Sequence, residues 1–86
     1  MRKPPRPRPQ HDPAYRRLCA LLRTWREEAG LTQVELGSAF GRPHTFVHKC
    51  EVGDRRLDPV EFVRWCRACG VKPDKAISQL AAEVRN

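Results

Sequence analysis

"LTQVELGSAFGRPHTFVHKCEVG", residues 31–53, decides the fold. Thr32 and Glu35 have the spacing of a capping box, in which the N-cap hydroxyl and the N3 carboxylate satisfy each other's backbone N–H groups. A helix started there runs to about Phe40 and stops at Gly41. Gly37 falls inside it, where glycine costs roughly 1 kcal/mol relative to alanine. Close approach of another helix is the commonest reason to keep a glycine at such a point. The next helix runs from about Pro43 to Val52 and stops at Gly53. The connection around Gly41 is only about three residues, short enough to force a sharp angle between the two helices. Wound at about 100° per residue, the second of them puts Val47 and Cys50 on one face. His44, Thr45, His48 and Lys49 fall on the other, with Phe46 at the border. A short helix thus presents two imidazoles, a hydroxyl and an ammonium.

The same punctuation recurs outward from this segment. Asp12-Pro13 reads as an N-cap with proline at the first helical position. Leu18, Leu21, Leu22, Trp25 and Ala29 follow at helical spacing, and Gly30 stands as the residue after the C-cap. "DPVE" at 58–61 repeats the capping logic and opens a helix that ends at Gly70. Pro73 opens a fifth, with Ala76, Ile77, Leu80, Ala81 and Val84 on one face. No period-2 run is long enough for a strand. The expected class is all-α: five short helices in one domain over residues 13–86. Residues 1–12, "MRKPPRPRPQHD", form a basic arm that holds four of the eight prolines together with Arg2, Lys3, Arg6 and Arg8. Proline at this density prevents helix and favours an extended chain.

Composition narrows the partner. In 86 residues, 17 Lys and Arg against 10 Asp and Glu give a formal net charge of +7. Such a chain suits a polyanion, with nucleic acid first and an anionic membrane surface second. Hydrophobic residues make up 40%, enough for a packed fold. No apolar run approaches the ~18–20 residues that span a bilayer, and the charged N-terminus has no apolar segment behind it. The expected compartment is the cytosol, with no membrane partner.

"REEAGLTQVELGSAFGRPHTFVHKCEVGDRRLDP", residues 26–59, resembles the phage-repressor/Cro-type (XRE-type) helix-turn-helix regulators. The matching frame is Gln33, the small Gly37, the turn Gly41, Val47, and Glu51 before Gly53, with "ACGV" at the end of the fourth helix extending it. The resemblance implies a lambda-repressor-like DNA-binding domain with the third helix in the major groove. It implies that His44, Thr45 and Lys49 read bases, that Gln33 bonds a backbone phosphate, and that Arg26 and Glu51 tie the first helix to the third. Elementary chemistry is consistent with this. A helix fits the B-DNA major groove, Lys49 can donate to guanine O6 and N7, and Phe46 can meet a thymine methyl. His48 shares the exposed face. Arg42, Arg55 and Arg56 flank the reading helix and, with Thr32, are expected to hold phosphates, which position a protein without reading sequence. Where the family carries an apolar residue and a capping serine, this chain has Arg42 and Pro43, so the third helix lacks a side-chain cap.

The expected function is sequence-specific binding of double-stranded DNA by a transcriptional regulator, most often a repressor, of a bacterium, phage or mobile element. A homodimer on a near-palindromic operator would place half-sites roughly 34–36 Å apart. Ile77, Leu80 and Val84 are the candidate dimer residues, and the arm would track phosphates or enter the minor groove. The alternative is an antitoxin or other protein-interaction module on the same fold.

Cys66 and Cys69 form a CxxC, and His44 and His48 an HxxxH, which together could suggest a zinc site. Cys66 and Cys69 nevertheless continue the stripe of Phe62 and Val63, and Cys19 and Cys50 also lie on apolar faces, where cysteine acts as a small hydrophobe. The reading is no metal and no cofactor. A glycine-rich phosphate loop, HExxH and GxSxG are all absent from the sequence, so no enzyme is expected.

Overall fold

The computed structural model describes residues 12–85. The arm residues Arg2, Lys3, Arg6 and Arg8 lie outside the described residues. Five helices follow in order: α1 (Pro13–Glu28), α2 (Gln33–Ala39), α3 (His44–Val52), α4 (Pro59–Ala68) and α5 (Pro73–Glu83). No strand occurs among the described residues.

Local chemistry sets the boundaries. The Asp12 carboxylate accepts from the Ala14 N–H at 3.0 Å and starts α1. In α2 both arms of the capping box are made at 3.0 Å: Thr32 Oγ1 accepts from the Glu35 N–H, and Glu35 Oε1 accepts from the Thr32 N–H. Asp58 and Glu61 build the same box at the head of α4. Gly41 (φ 64°) and Gly53 (φ 85°) end α2 and α3 in left-handed geometry, which other residues adopt only with strain. Pro43 stands as the N-cap of α3 with no side-chain bond.

Gly37 has a specific cause. A Cβ built there would lie 2.7 Å from the Arg42 carbonyl oxygen and 3.1 Å from that of Pro43. The Arg42 N–H also donates to the Gly37 carbonyl at 2.9 Å. The close approach therefore comes from the backbone of the turn itself, folding back onto α2.

All five helices feed one core. Leu22 and Trp25 of α1, Leu36 of α2, Val47 and Cys50 of α3, Trp65 and Cys66 of α4 and Ala76 of α5 are buried in it. The indole N–H of Trp65 donates to the Leu22 carbonyl at 3.1 Å, so this large side chain is enclosed without stranding a donor. Trp25 meets Phe62 edge-on at 6.0 Å and donates to Gln79 Oε1 at 3.3 Å. Only Ala76 of α5 is fully buried. Leu80 packs partly on the core, while Ile77 is 51% and Val84 39% exposed.

Candidate nucleic-acid interface

The outer face of α3 carries His44, Thr45, His48, Lys49 and Val52, all exposed, over a fully buried Val47 and Cys50. What fixes this helix lies behind it. Arg26 of α1 bonds Glu51 through both forks: Nε to Oε2 at 2.6 Å and one terminal nitrogen to Oε1 at 3.0 Å. The other terminal nitrogen donates to the Leu31 carbonyl at 2.9 Å. Gln33 of α2 completes the group, its amide donating to Glu51 Oε1 at 3.2 Å. The Arg26 and Glu51 side chains are 10% and 3% exposed. The hydrogen bond to Glu51 holds the Arg26 guanidinium above its ordinary pKa, against the pull of burial. Removing one partner of such a buried pair costs about 3–5 kcal/mol. By contrast, the Arg23–Glu27 pair on the open side of α1 is more than half exposed at both ends, the kind worth about 0.3–0.5 kcal/mol.

Phe46 requires a correction. It does not sit at the border of the exposed face to meet a thymine methyl. It is 5% exposed, its ring 5.1 Å from that of Phe40. The guanidinium carbons of Arg42 and Arg55 lie 4.9 and 4.8 Å from its centroid. The physical reason is that α3 uses Phe46 to cover the end of the core, and the two arginines then roof it.

The flanking cations divide by their partners. Arg55 is bidentate to Glu61, at 3.0 and 2.9 Å, and also donates to the Arg56 carbonyl at 2.9 Å. Those bonds hold the Glu61 carboxyl below its usual range, with the Asp58 N–H assisting. Arg55 is thus spent largely on the protein itself. Arg56 lies over the Tyr15 ring at 4.7 Å, and Tyr15 Oη accepts from the Leu57 N–H at 3.0 Å. No ion pair is made by Arg42, Lys49 or Arg56 among the described residues. Arg42, Pro43, Thr45, Phe46, Lys49 and Arg55 line a surface notch of about 260 Å³. Thr32 is exposed, with its hydroxyl engaged in the α2 cap.

Two contributors lay outside the sequence reading of this site: Glu61, which locks Arg55, and Tyr15, which carries Arg56 and the 56–57 loop. The Glu61 box was visible locally; the pairing with Arg55 was not.

The cysteines are all free and buried. Burial pushes the thiols of Cys50, Cys66 and Cys69 up to about 11, away from the thiolate that ligates metal or attacks substrate. No three His, Cys, Asp or Glu side chains converge as metal ligands among the described residues. No described helix is long and apolar enough to cross a membrane.

Comparison with known proteins agrees with this geometry. A family described as a helix-turn-helix domain matches residues 8–77. A solved XRE-family like protein from Pseudomonas syringae pv. tomato str. DC3000 superposes with a TM-score of 0.79 at 43% identity, covering 87% of this chain and 92% of that one. No curated protein matches. With α2 and α3 angled across the Gly41 turn and α3 braced from both neighbours, the chain belongs to the XRE-type helix-turn-helix family of DNA-binding regulators.

Proposed function

We propose that this protein represses transcription by binding a near-palindromic operator in duplex DNA as a homodimer, with α3 in the major groove. One observation carries the reading: α3 turns a polar, cationic face outward while a buried ion pair and a glutamine hold it from behind. A reader must be rigid, because base-edge hydrogen bonds tolerate little misplacement. His44, Thr45, His48 and Lys49 are the side chains offered to the groove. Gln33, Thr32, Arg42 and Arg56 are positioned for phosphates, with Arg55 contributing as far as Glu61 leaves it free. Ile77, Leu80 and Val84 supply the contact between protomers; Ile77 lies at an apolar groove formed with Leu18, Phe62 and Leu80. Roughly one helical turn then separates the half-sites.

Selection of bound duplexes from a random pool, followed by titration at two salt concentrations, tests this. If ~6–10 phosphates are neutralised, affinity falls by ~10³–10⁵ between 50 and 200 mM salt. An affinity indifferent to salt, or a pool with no enriched motif, moves the case to a protein-interaction module such as an antitoxin.

A further inference from the structure

The outward side of α3 carries a pairing that DNA binding does not by itself require. His44 and His48 stand four residues apart on one helix, and both are exposed. At about 1.5 Å and 100° per residue, they are about 6 Å apart along the axis and about 40° apart around it. Side chains at that spacing meet, and two histidines so placed are the zinc-holding pair of the HExxH pattern. Here Thr45, Phe46 and Val47 lie between them. The general base of that pattern is missing, so the pair points to binding and not to hydrolysis. Neither ring is paired with a carboxylate among the described residues. The first turn of α3 has no acidic residue, which leaves Mg²⁺ and Ca²⁺ without the oxygen ligands they need. Imidazole instead suits Zn²⁺, Ni²⁺ and Cu²⁺. Arg26 and Gln33 hold the helix through Glu51, so the two rings share a fixed backbone. Two facts keep the affinity low. Arg42, Lys49 and the positive end of the α3 dipole oppose a cation, and no three His, Cys, Asp or Glu side chains converge among the described residues. An ion held this way keeps water in its remaining positions and comes and goes with its concentration.

We propose that His44 and His48 form a two-imidazole chelate for a divalent transition-metal ion, and that the bound ion removes the protein's preference for its operator. The chelate rests on α3 alone; its consequence rests on the DNA-binding reading. A ring nitrogen bonded to the ion no longer reaches a base edge, and the ion with its waters stands between α3 and the floor of the groove. Arg42 and Arg56 lie in the flanking turns, so the phosphate contacts proposed for them stay in place. Selected and random duplexes then bind nearly alike.

The test uses the full chain without an affinity tag, Zn²⁺ as the probe and Mg²⁺ as the contrast. Zn²⁺ is expected to shift the His44 and His48 ring signals in NMR saturably, and Mg²⁺ to leave them in place. His44→Ala and His48→Ala should each weaken Zn²⁺ binding ~10²-fold or more, the gain from joining two ligands in one site. His11→Ala, which removes the remaining histidine of the chain, should leave it unchanged. Val52 is 44% exposed on the same side of α3, one turn beyond His48. His44→Ala combined with Val52→His therefore rebuilds the spacing and should restore binding. No saturable shift in the wild type, an equal response to Mg²⁺, or loss of the response in His11→Ala overturns the site. Failure of the rebuilt pair, in a protein that melts like the wild type, overturns the chelate geometry. For the consequence, a duplex from the selection above and a random duplex are titrated with and without saturating Zn²⁺. A specific binder separates such duplexes by ~10³ or more, and Zn²⁺ should shrink that ratio at least about tenfold in the wild type and leave it unmoved in His48→Ala. By linkage, the selected duplex should weaken Zn²⁺ binding by the same factor by which Zn²⁺ weakens the duplex. Rings that respond while the ratio stays fixed overturn the proposed control of operator preference. If the wild type binds no duplex, the DNA reading fails separately, and the Zn²⁺ arm still judges the chelate.

Discussion

Helices α3 and α5 are close in length and neither has a side-chain bond at its N-cap, yet they are held in opposite ways. α3 is tied by directional contacts: Glu51 to Arg26 and Gln33, and Phe46 to Phe40, Arg42 and Arg55. α5 rests on Ala76, part of Leu80 and the single bond from Trp25 to Gln79. Directional ties fix rotation about the helix axis as well as distance. An apolar contact fixes mainly distance. The element that would meet base edges has the first kind of support, and the element left with exposed aliphatic groups has the second.

The sharpest way to break this contrast is Glu51→Ala. It leaves the Arg26 guanidinium buried without a counter-ion and should cost about 3–5 kcal/mol by denaturant unfolding. The matching cut behind α5, Gln79→Ala, should cost about 1 kcal/mol or less. Equal losses would mean that the two helices are anchored alike.

Gly37→Ala comes next. In an open helix this change would gain roughly 1 kcal/mol. Here the new Cβ meets the Arg42 carbonyl at 2.7 Å, so a net loss of about 2 kcal/mol is expected, as for other overpacked positions. The check is a melt together with duplex binding, since the α2–α3 angle must open to relieve the clash.

Glu61→Gln tests the loop end of the α3 support through pH. The Glu61 carboxyl is held below its usual range by Arg55. Its contribution is therefore complete above the unfolded carboxylate value and disappears as pH falls through the lower, folded one. The variant should lose about 1 kcal/mol at neutral pH. Its stability should fall less steeply than that of the wild type below pH ~4.

The smallest effect belongs to α5. Ile77→Lys sits on an exposed position and should change monomer stability by no more than about 0.5 kcal/mol. If α5 joins protomers, sedimentation should nonetheless show the variant shifted to monomer, with weaker binding to a two-half-site duplex. An unaltered oligomeric state would remove α5 from the interface.

The legible parts of the molecule were the local ones. Asp12, the Thr32/Glu35 box, the Asp58/Glu61 box and the stop glycines each act within one turn of chain, so a window of sequence contains both partners. Gly37 was visible as an anomaly, but its cause, the carbonyls of Arg42 and Pro43, required the turn to be folded. Phe46 was misplaced because a helical wheel shows direction and not depth. What buries it is Phe40 across the turn and two arginines arriving from either end of α3. Arg55 reads from the sequence as a phosphate ligand for the same reason: its partner Glu61 lies on the next helix, and only the path of the 53–58 loop brings them together.

The placement of the two tryptophans has a practical consequence. Trp65 is sealed in the interior with its indole hydrogen-bonded to the Leu22 carbonyl, and Trp25 stands beside Phe62. Neither lies on the outer side of α3. Intrinsic fluorescence should therefore shift to the red when the chain unfolds and stay nearly constant when that side is occupied. A labelled duplex can then report occupancy in a separate optical channel, with both signals read from one sample.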